Sequence, residues 1–313
     1  MLRFGSFQGR VVSSQEQYLD ALRLVFGAGV HPPNQNPNAG RQFEMVIEDA
    51  PIPAGSAVSD SNVLTLGGTP TCRRITTDAL RAELEPDRDP VPIRISVLRD
   101  DISFPALSVH FVVVIHKLLF LLDRVILHAA AVELDGQVSL FVGNKGAGKS
   151  STSLALAKAG GTVLGEDQVV LRKTGAGYLV SGGDERSRVT EHTERHFFPE
   201  PLTVPARDFA GTMKKEVMMR DFFRSEPFRD FPAHRLVFPR VTGQFGLRPL
   251  KAQAALLRLM AFNGHFQRFE GARDQAAFLD FLAGFIASVS CWELTLSDDL
   301  TNLDQLPGRL RRG

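Results

Sequence analysis

The chain has 313 residues, of which 43% are hydrophobic and 23% charged, and its formal net charge is +1. This is the balance of an ordinary globular protein with length for about two domains. The near-zero charge gives no global reason to expect nucleic acid or an anionic membrane as partner. Cys72 and Cys291 are the only cysteines and form no C-x-x-C pair. No disulfide framework or cysteine zinc site is implied, and two plain thiols suit a reducing compartment.

The N-terminus, MLRFGSFQGRVVSS, has no apolar segment after its basic residue, so no secretory signal is expected. The spacing of Tyr18, Leu19, Leu22 and Val25 predicts an amphipathic helix over Gln15–Phe26. His31–Gly40 reads as a loop from its Pro, Asn and Gly content. Short strands are predicted at Phe43–Ile47, Val63–Leu66, Cys72–Ile75 and Ile93–Leu98, with Arg81–Arg88 as a charged, exposed stretch. Residues 1–105 thus form a small α+β or mostly β domain with no chemistry in its pattern.

Ser108–Leu127 approaches the length of a membrane span. It contains His110, His116, Lys117, Asp123 and Arg124, and charges there are costly in lipid. Leu107–Leu122 is therefore predicted as a buried helix, and the protein as cytoplasmic. Val125–Glu133 and Val138–Val142 read as strands joined by a turn at Asp135–Gly136. A helix is predicted over Ser150–Ala159, a strand over Thr162–Gly165, and a hairpin from Val169–Leu171 and Tyr178–Ser181. Gly183–Pro205 reads as charged and irregular. Leu236–Phe238 and Cys291–Leu296 read as strands, and Ala252–Phe262 and Gln275–Ser288 as helices. The expected domain limits are 1–105 and 106–306, with 307–313 a basic, frayed tail.

The strongest chemical signal is GNKGAGKS at Gly143–Ser150, which meets G-x-x-x-x-G-K-[ST] at every fixed position. An apolar strand precedes it and a helix-forming run follows. Glycines there let backbone N–H groups turn towards phosphate oxygens, and the helix N-terminus adds free amides. The candidate cofactor-binding residues are Gly143, Asn144, Lys145, Gly146, Ala147, Gly148, Lys149, Ser150 and Ser151. Lys149 would reach the β- and γ-phosphates of ATP, and Ser150 would give its hydroxyl to Mg²⁺.

Glu166 and Asp167 follow the next predicted strand, at the strand end where α/β sheets bind ligands. One carboxylate suits the metal and the other the proton of an acceptor hydroxyl. Asp167 is taken as the catalytic residue and Glu166, with Ser150, as the metal organiser; the reverse assignment stays open. His128, ahead of three alanines, is a further candidate for a phosphoryl contact or for orienting an acid, or else a core histidine.

From His128 to Leu171 the sequence closely resembles the catalytic domain of the HPr kinase/phosphorylase family. It is similar above all to HPr-kinase-related proteins of peptide-modification and biosynthetic clusters. The histidine, the phosphate loop and the adjacent acidic pair occur in the family's order. The resemblance implies a P-loop kinase domain with a mixed sheet and flanking helices. It implies Asp167 as acid/base, His128 as a supporting residue, and Lys149 on the phosphates. It also implies Mg·ATP as cofactor, a hydroxyl acceptor such as a serine of a peptide or protein, and a homo-oligomer. Glu166 stands where the family commonly has aspartate. The run Arg235–Leu259 is similar more loosely, and no phosphorolysis segment is found. A small-molecule kinase, or a nucleotide-binding regulator or NTPase with no phosphoryl acceptor, are the alternatives.

Further positive charge is expected near such a site. The candidates are Arg186, Arg188, Arg195, Lys214, Lys215, Arg235 and Arg240, with Lys215 and Arg235 preferred as substrate or phosphate contacts. His192 and His196 share a face if helical, but HTERH lacks the H-E-x-x-H zinc pattern. Phe222, Phe223, Phe228 and Phe231 could line an acceptor groove or anchor a loop.

Overall fold

The computed structural model describes residues 2–4, 6–26, 42–50, 65–69, 71–99, 101–183, 186–209, 211–263, 272–297 and 299–311. The expected loop His31–Gly40, and the start of the expected strand at 63–64, lie outside the described residues. The chain divides into two compact units, Met1–Ile126 with Gly264–Asp280, and Leu127–Asn263 with Phe281–Gly313.

The first unit is built on β1 (Leu2–Phe4), β2 (Phe7–Ser13), α1 (Glu16–Phe26), β3 (Gln42–Asp49), β4 (Thr65–Gly68), β5 (Arg73–Thr76), β6 (Leu80–Leu84), β7 (Val91–Val97) and α2 (Phe104–Phe120). Its strands form one seven-stranded sheet in the order β1-β2-β3-β7-β6-β5-β4. β3 shows the reason for a single-sided core. Phe43, Met45 and Ile47 are buried and alternate with exposed Gln42, Glu44 and Val46. β6 overlaps the start of Arg81–Arg88, the stretch expected to be exposed. Its Leu80, Ala82 and Leu84 alternate inward and are buried, so the charges of Arg81 and Glu83 hid a period of two.

α2 packs against α1, β5 and β6 and so belongs to this unit. The division at 126/127 therefore lies later than the expected 105/106. The apolar face of α2 fills the first unit's core instead of leading into the second. No helix among the described residues is long and apolar enough to cross a membrane.

The chain enters the second unit through β8 (Arg124–Leu127). There follow β9 (Ala129–Leu134), β10 (Gln137–Val142), α3 (Lys149–Lys158), β11 (Thr162–Gly165), β12 (Val169–Thr174), β13 (Gly177–Gly182), β14 (Arg186–Val189), α4 (Glu191–Phe197), β15 (Ala206–Asp208) and β16 (Met213–Met218). The rest is β17 (Phe231–Val241), β18 (Gly246–Pro249), α5 (Ala252–Asn263), the part of α6 (Ala272–Ser288) that follows Asp280, β19 (Ser290–Leu296) and α7 (Leu306–Leu310).

This is an α/β unit with a mixed sheet flanked by helices. Its strands run in the order β11-β9-β10-β17-β13-β12, and β19 joins β17 and β18. β10, β17 and β19 are mutually parallel through β17, while β9 and β13 run antiparallel. Parallel central strands are covered on both faces, which is why VSLFV of β10 is buried throughout. α3 packs on β9, β10 and β11, and the core on its side joins Phe141, Leu154, Val237, Leu294 and Leu296.

Three local expectations change. The single strand Val125–Glu133 is two strands, β8 and β9, with a bend at His128. The irregular stretch Gly183–Pro205 contains β14 and α4, the latter capped by Thr190, whose side chain accepts from the Thr193 amide. The tail is not frayed as far as it is described. Leu306, Pro307 and Leu310 are buried, and Leu306 and Leu310 belong to the core beside α3.

Candidate functional site

β10 ends at Val142, and the loop Gly143–Gly148 carries the chain into α3. Gly146 and Gly148 both take positive φ, +82° and +97°. A Cβ at Gly148 would also sit 2.3 Å from Leu296 Cδ1, so that side chain would have to shift. Gly148→Ala is expected to destabilise the protein by about 1–3 kcal/mol from backbone strain alone. A urea titration checks this, and an unchanged midpoint would refute it.

Lys149 is the first residue of α3, and its side chain folds back over the loop. Nζ donates to the carbonyls of Gly143 at 2.7 Å and Asn144 at 3.2 Å. Burial pushes its pKa down, with help from the charge of Lys214 and against the pull of Asp167 and Glu166. The helix N-terminus leaves its first amides free to meet an anion.

Glu166 and Asp167 form the bend after β11, beside the loop, but their surroundings differ. Glu166 is 1% exposed. Its Oε1 accepts from Ser153 of α3 and its Oε2 from Ser187 of β14 at 3.1 Å. Burial raises its pKa to about 7, against those two hydroxyls and that of Ser150; the neighbouring Asp167 charge adds to the rise. Asp167 has a side chain 39% exposed, and Oδ2 accepts from Arg188 at 3.0 Å.

His128, at the bend between β8 and β9, is tied to the acidic pair. Its Nδ1 lies 3.0 Å from the Asp167 carbonyl oxygen. A carbonyl only accepts, so Nδ1 carries the hydrogen and donates it. The His128 amide donates to Asn263 Oδ1 at 2.6 Å, which anchors the bend to the end of α5.

These groups line one cavity of about 560 Å³. Of the candidates drawn from the sequence, His128, Asn144, Lys145, Gly146, Gly148, Lys149, Ser150, Ser151, Glu166 and Asp167 are on its wall. Gly143 and Ala147 complete the loop without facing it.

The opposite wall comes from a three-stranded sheet in the order β14-β16-β15. Arg188 and Glu216 are directly paired across β14 and β16, and Arg188 Nε donates to Glu216 at 3.2 Å. The Arg188 guanidinium also lies 4.7 Å from the centre of the Phe209 ring. Lys145 of the phosphate loop donates to the Phe209 carbonyl at 2.7 Å, which ties the loop to this sheet. Lys214 faces the cavity too, and burial pushes its pKa down.

Neither of the two preferred basic residues lines this cavity. Lys215 follows Lys214 on β16, so strand alternation turns it to the other face. Its Nζ donates to Glu194 and to the Leu202 carbonyl, both at 2.8 Å. Arg235 pairs with Ser139, four residues before Gly143. About 13 Å of strand separates it from the loop, and it lines a different cavity with Asp135 and Arg311. Arg188 and Lys214 line the cavity instead. Both were in view as basic residues, but the parity that selects them belongs to strands the charged composition concealed.

His192 and His196 do lie on one helix, α4, and His196 Nε2 is 3.9 Å from Asp304. Among the described residues no cluster of three or more His, Cys, Asp or Glu is arranged to hold a metal ion. Phe222 and Phe223 stack edge-on against Phe198, with ring centres 5.0 and 5.7 Å away, as a loop anchor would.

No family model matches the chain, and no curated protein matches it. Among solved structures it is similar to the Hpr(Ser) kinase/phosphatase from Coxiella burnetii. That match covers 60% of this chain and 97% of the other, at 10% identity and a TM-score of 0.28. A superposition of that score says nothing about the site.

Proposed function

We propose that the second unit is a Mg²⁺- and ATP-dependent kinase that transfers the γ-phosphoryl group to a hydroxyl, most simply a serine of a peptide or protein. The observation that carries this reading is the convergence on one cavity. A phosphate-loop sequence, in a strand-loop-helix setting with two left-handed glycines, faces an acidic pair and a wall of two further cations.

The residues suit the two groups. The loop takes its turn through left-handed Gly146 and Gly148, and Lys149, Lys214 and Arg188 bring positive charge to the cavity it lines. Oxygen donors from Ser150, Glu166 and Asp167 match the preference of Mg²⁺ for one or two carboxylates. When bound, Mg·ATP supplies the phosphoryl group and the metal's charge.

The chain's own groups have distinct tasks. Lys149 exchanges its two loop carbonyls for phosphate oxygens. Ser150 and Glu166 organise the metal edge, with Ser153 and Ser187 holding the Glu166 carboxyl in place. Asp167, the more exposed carboxylate, takes the acceptor's proton. His128 supports it by fixing the Asp167 backbone. Arg188 positions the Asp167 carboxylate and offers charge to the transferring group.

The test is incubation of the whole chain with Mg·ATP and candidate peptides or metabolites, read by intact mass. A gain of one phosphoryl group on an acceptor, lost in Lys149→Ala, supports the proposal. Phosphate released to water with every acceptor unmodified would replace it with an NTPase reading, and no Mg·ATP binding by calorimetry would overturn both.

A further inference from the structure

Glu293 of β19 has a fully buried side chain, and three arginines from three elements meet it. Arg258 of α5 approaches Oε1 at 2.8 Å, Arg248 of β18 contacts Oε2, and Arg240 of β17 lies 3.8 Å from Oε1. A buried carboxylate must be paired, because its desolvation costs several kcal/mol. Burial pushes the Glu293 pKa up, but Arg258 and Arg248 outweigh it and hold the group below the ordinary glutamate value.

Arg258, 34% exposed, comes closest to being a structural partner, and its guanidinium lies 5.9 Å from the Phe238 ring centre. Arg240 and Arg248 are 60% and 69% exposed. Three positive charges against one negative leave a surplus of two at one small surface. Among the described residues Glu293 is the only carboxylate within ion-pair distance of any of the three.

The cluster sits by the phosphate loop. Arg240 follows Pro239, whose carbonyl oxygen is 3.4 Å from where Gly143 would carry a Cβ. Strand parity turns Glu293 to the face of β19 opposite Leu296, the residue that abuts Gly148, so the cluster meets the loop's end of the sheet through Arg240. Both strands run parallel to the sheet's central direction, so this is the edge from which the loop also departs.

We propose that Arg240, Arg248 and Arg258 form an oxyanion-recognition site beside the phosphate loop, and that it selects acceptors carrying an acidic peptide segment. Guanidinium forks match carboxylate and phosphate groups with paired hydrogen bonds. Glu293 fixes two of the three heads in advance, which lowers the cost of ordering them on binding. Nucleic acid fits less well, since binding a duplex needs cations spread along many phosphates, and here they converge on one point. The acceptor role rests on the kinase reading; the binding of an oxyanion does not.

The test uses the whole chain without nucleotide and two fluorescein-labelled probes, a hexaglutamate peptide and a phosphoserine peptide, followed by anisotropy. The parent is expected to bind at least one of them, more weakly as salt rises. The Arg240→Gln/Arg248→Gln double variant should lose about tenfold in affinity. The tighter probe identifies carboxylate or phosphate as the natural group. Excess Mg·ATP should leave the peptide bound. If the double variant unfolds, Arg240→Gln alone, at the longest contact, should still lose about threefold. Unchanged affinity in a folded variant, displacement by Mg·ATP, or tighter binding of a single-stranded oligonucleotide than of either peptide would overturn the proposal. Failure to phosphorylate any acceptor while the peptide still binds would count against the kinase reading alone.

Discussion

Replacing Asp167 with asparagine is expected to slow phosphoryl transfer by about 10²–10⁴-fold and to leave Mg·ATP binding within a few-fold of the parent. The two side chains have the same shape, so the fold has little to adjust. What is lost is the carboxylate that can take a proton. Asp167 is the right place for that function because its side chain is 39% exposed, against 1% for Glu166 as a residue. A reacting hydroxyl can reach it. The amide oxygen can still accept from Arg188, but that 3.0 Å contact loses its charge. The measurement pairs initial transfer rates with calorimetry. A D167N protein with the parent's rate would remove Asp167 from the chemistry.

Glu166→Gln separates catalysis from stability and predicts a pH signature. In the metal-free protein the Glu166 pKa is raised from 4.5 to about 7, mainly by burial. The folded state therefore holds this proton to higher pH than the unfolded state. Between pH 4.5 and 7 the folded chain binds more protons, so stability falls as pH rises through that window. Above it the full penalty of a buried charge is present, on the order of 3 kcal/mol. Glutamine has no such proton and can still bond Ser153 and Ser187. With a chelator present, E166Q should gain stability over the parent at pH 8 and gain little at pH 4. It should also lose most Mg²⁺-dependent activity. Urea midpoints at the two pH values decide it, and parallel pH profiles for parent and variant would refute the assignment.

Much of the candidate site was legible because its signals are local. GNKGAGKS contains its own geometry, and the apolar run before it and the helix formers after it set the strand and helix on either side. Glu166–Asp167 was found because a short strand had to end there. Ser153 was within reach as well, one helical turn after Ser150 on the same face. Ser187 was not legible, nor was the selection of Arg188 and Lys214 from among the basic candidates. Their facing depends on the register of β14 with β16, a pairing of residues about 30 apart within a segment whose charges mask its period. The choice between Lys214 and Lys215 is one step of strand parity, and composition cannot make it. The first unit shows the same limit. α1 is periodic over eleven residues and was recognised, whereas β1 and β6, with three and five residues, are too short for a period of two to stand out.

The first unit is assembled from two separated stretches of chain, and this has a bearing on how the gene can be divided. Phe278, from the returning stretch, packs edge-on against Phe120 with ring centres 5.8 Å apart. No single cut yields either unit intact. A break after Ile126 leaves the N-terminal piece without Phe278, and leaves the C-terminal piece carrying an aromatic side chain whose partner is gone. The boundary is one of packing and not of sequence, so the two units are expected to be inherited, expressed and degraded as one gene product.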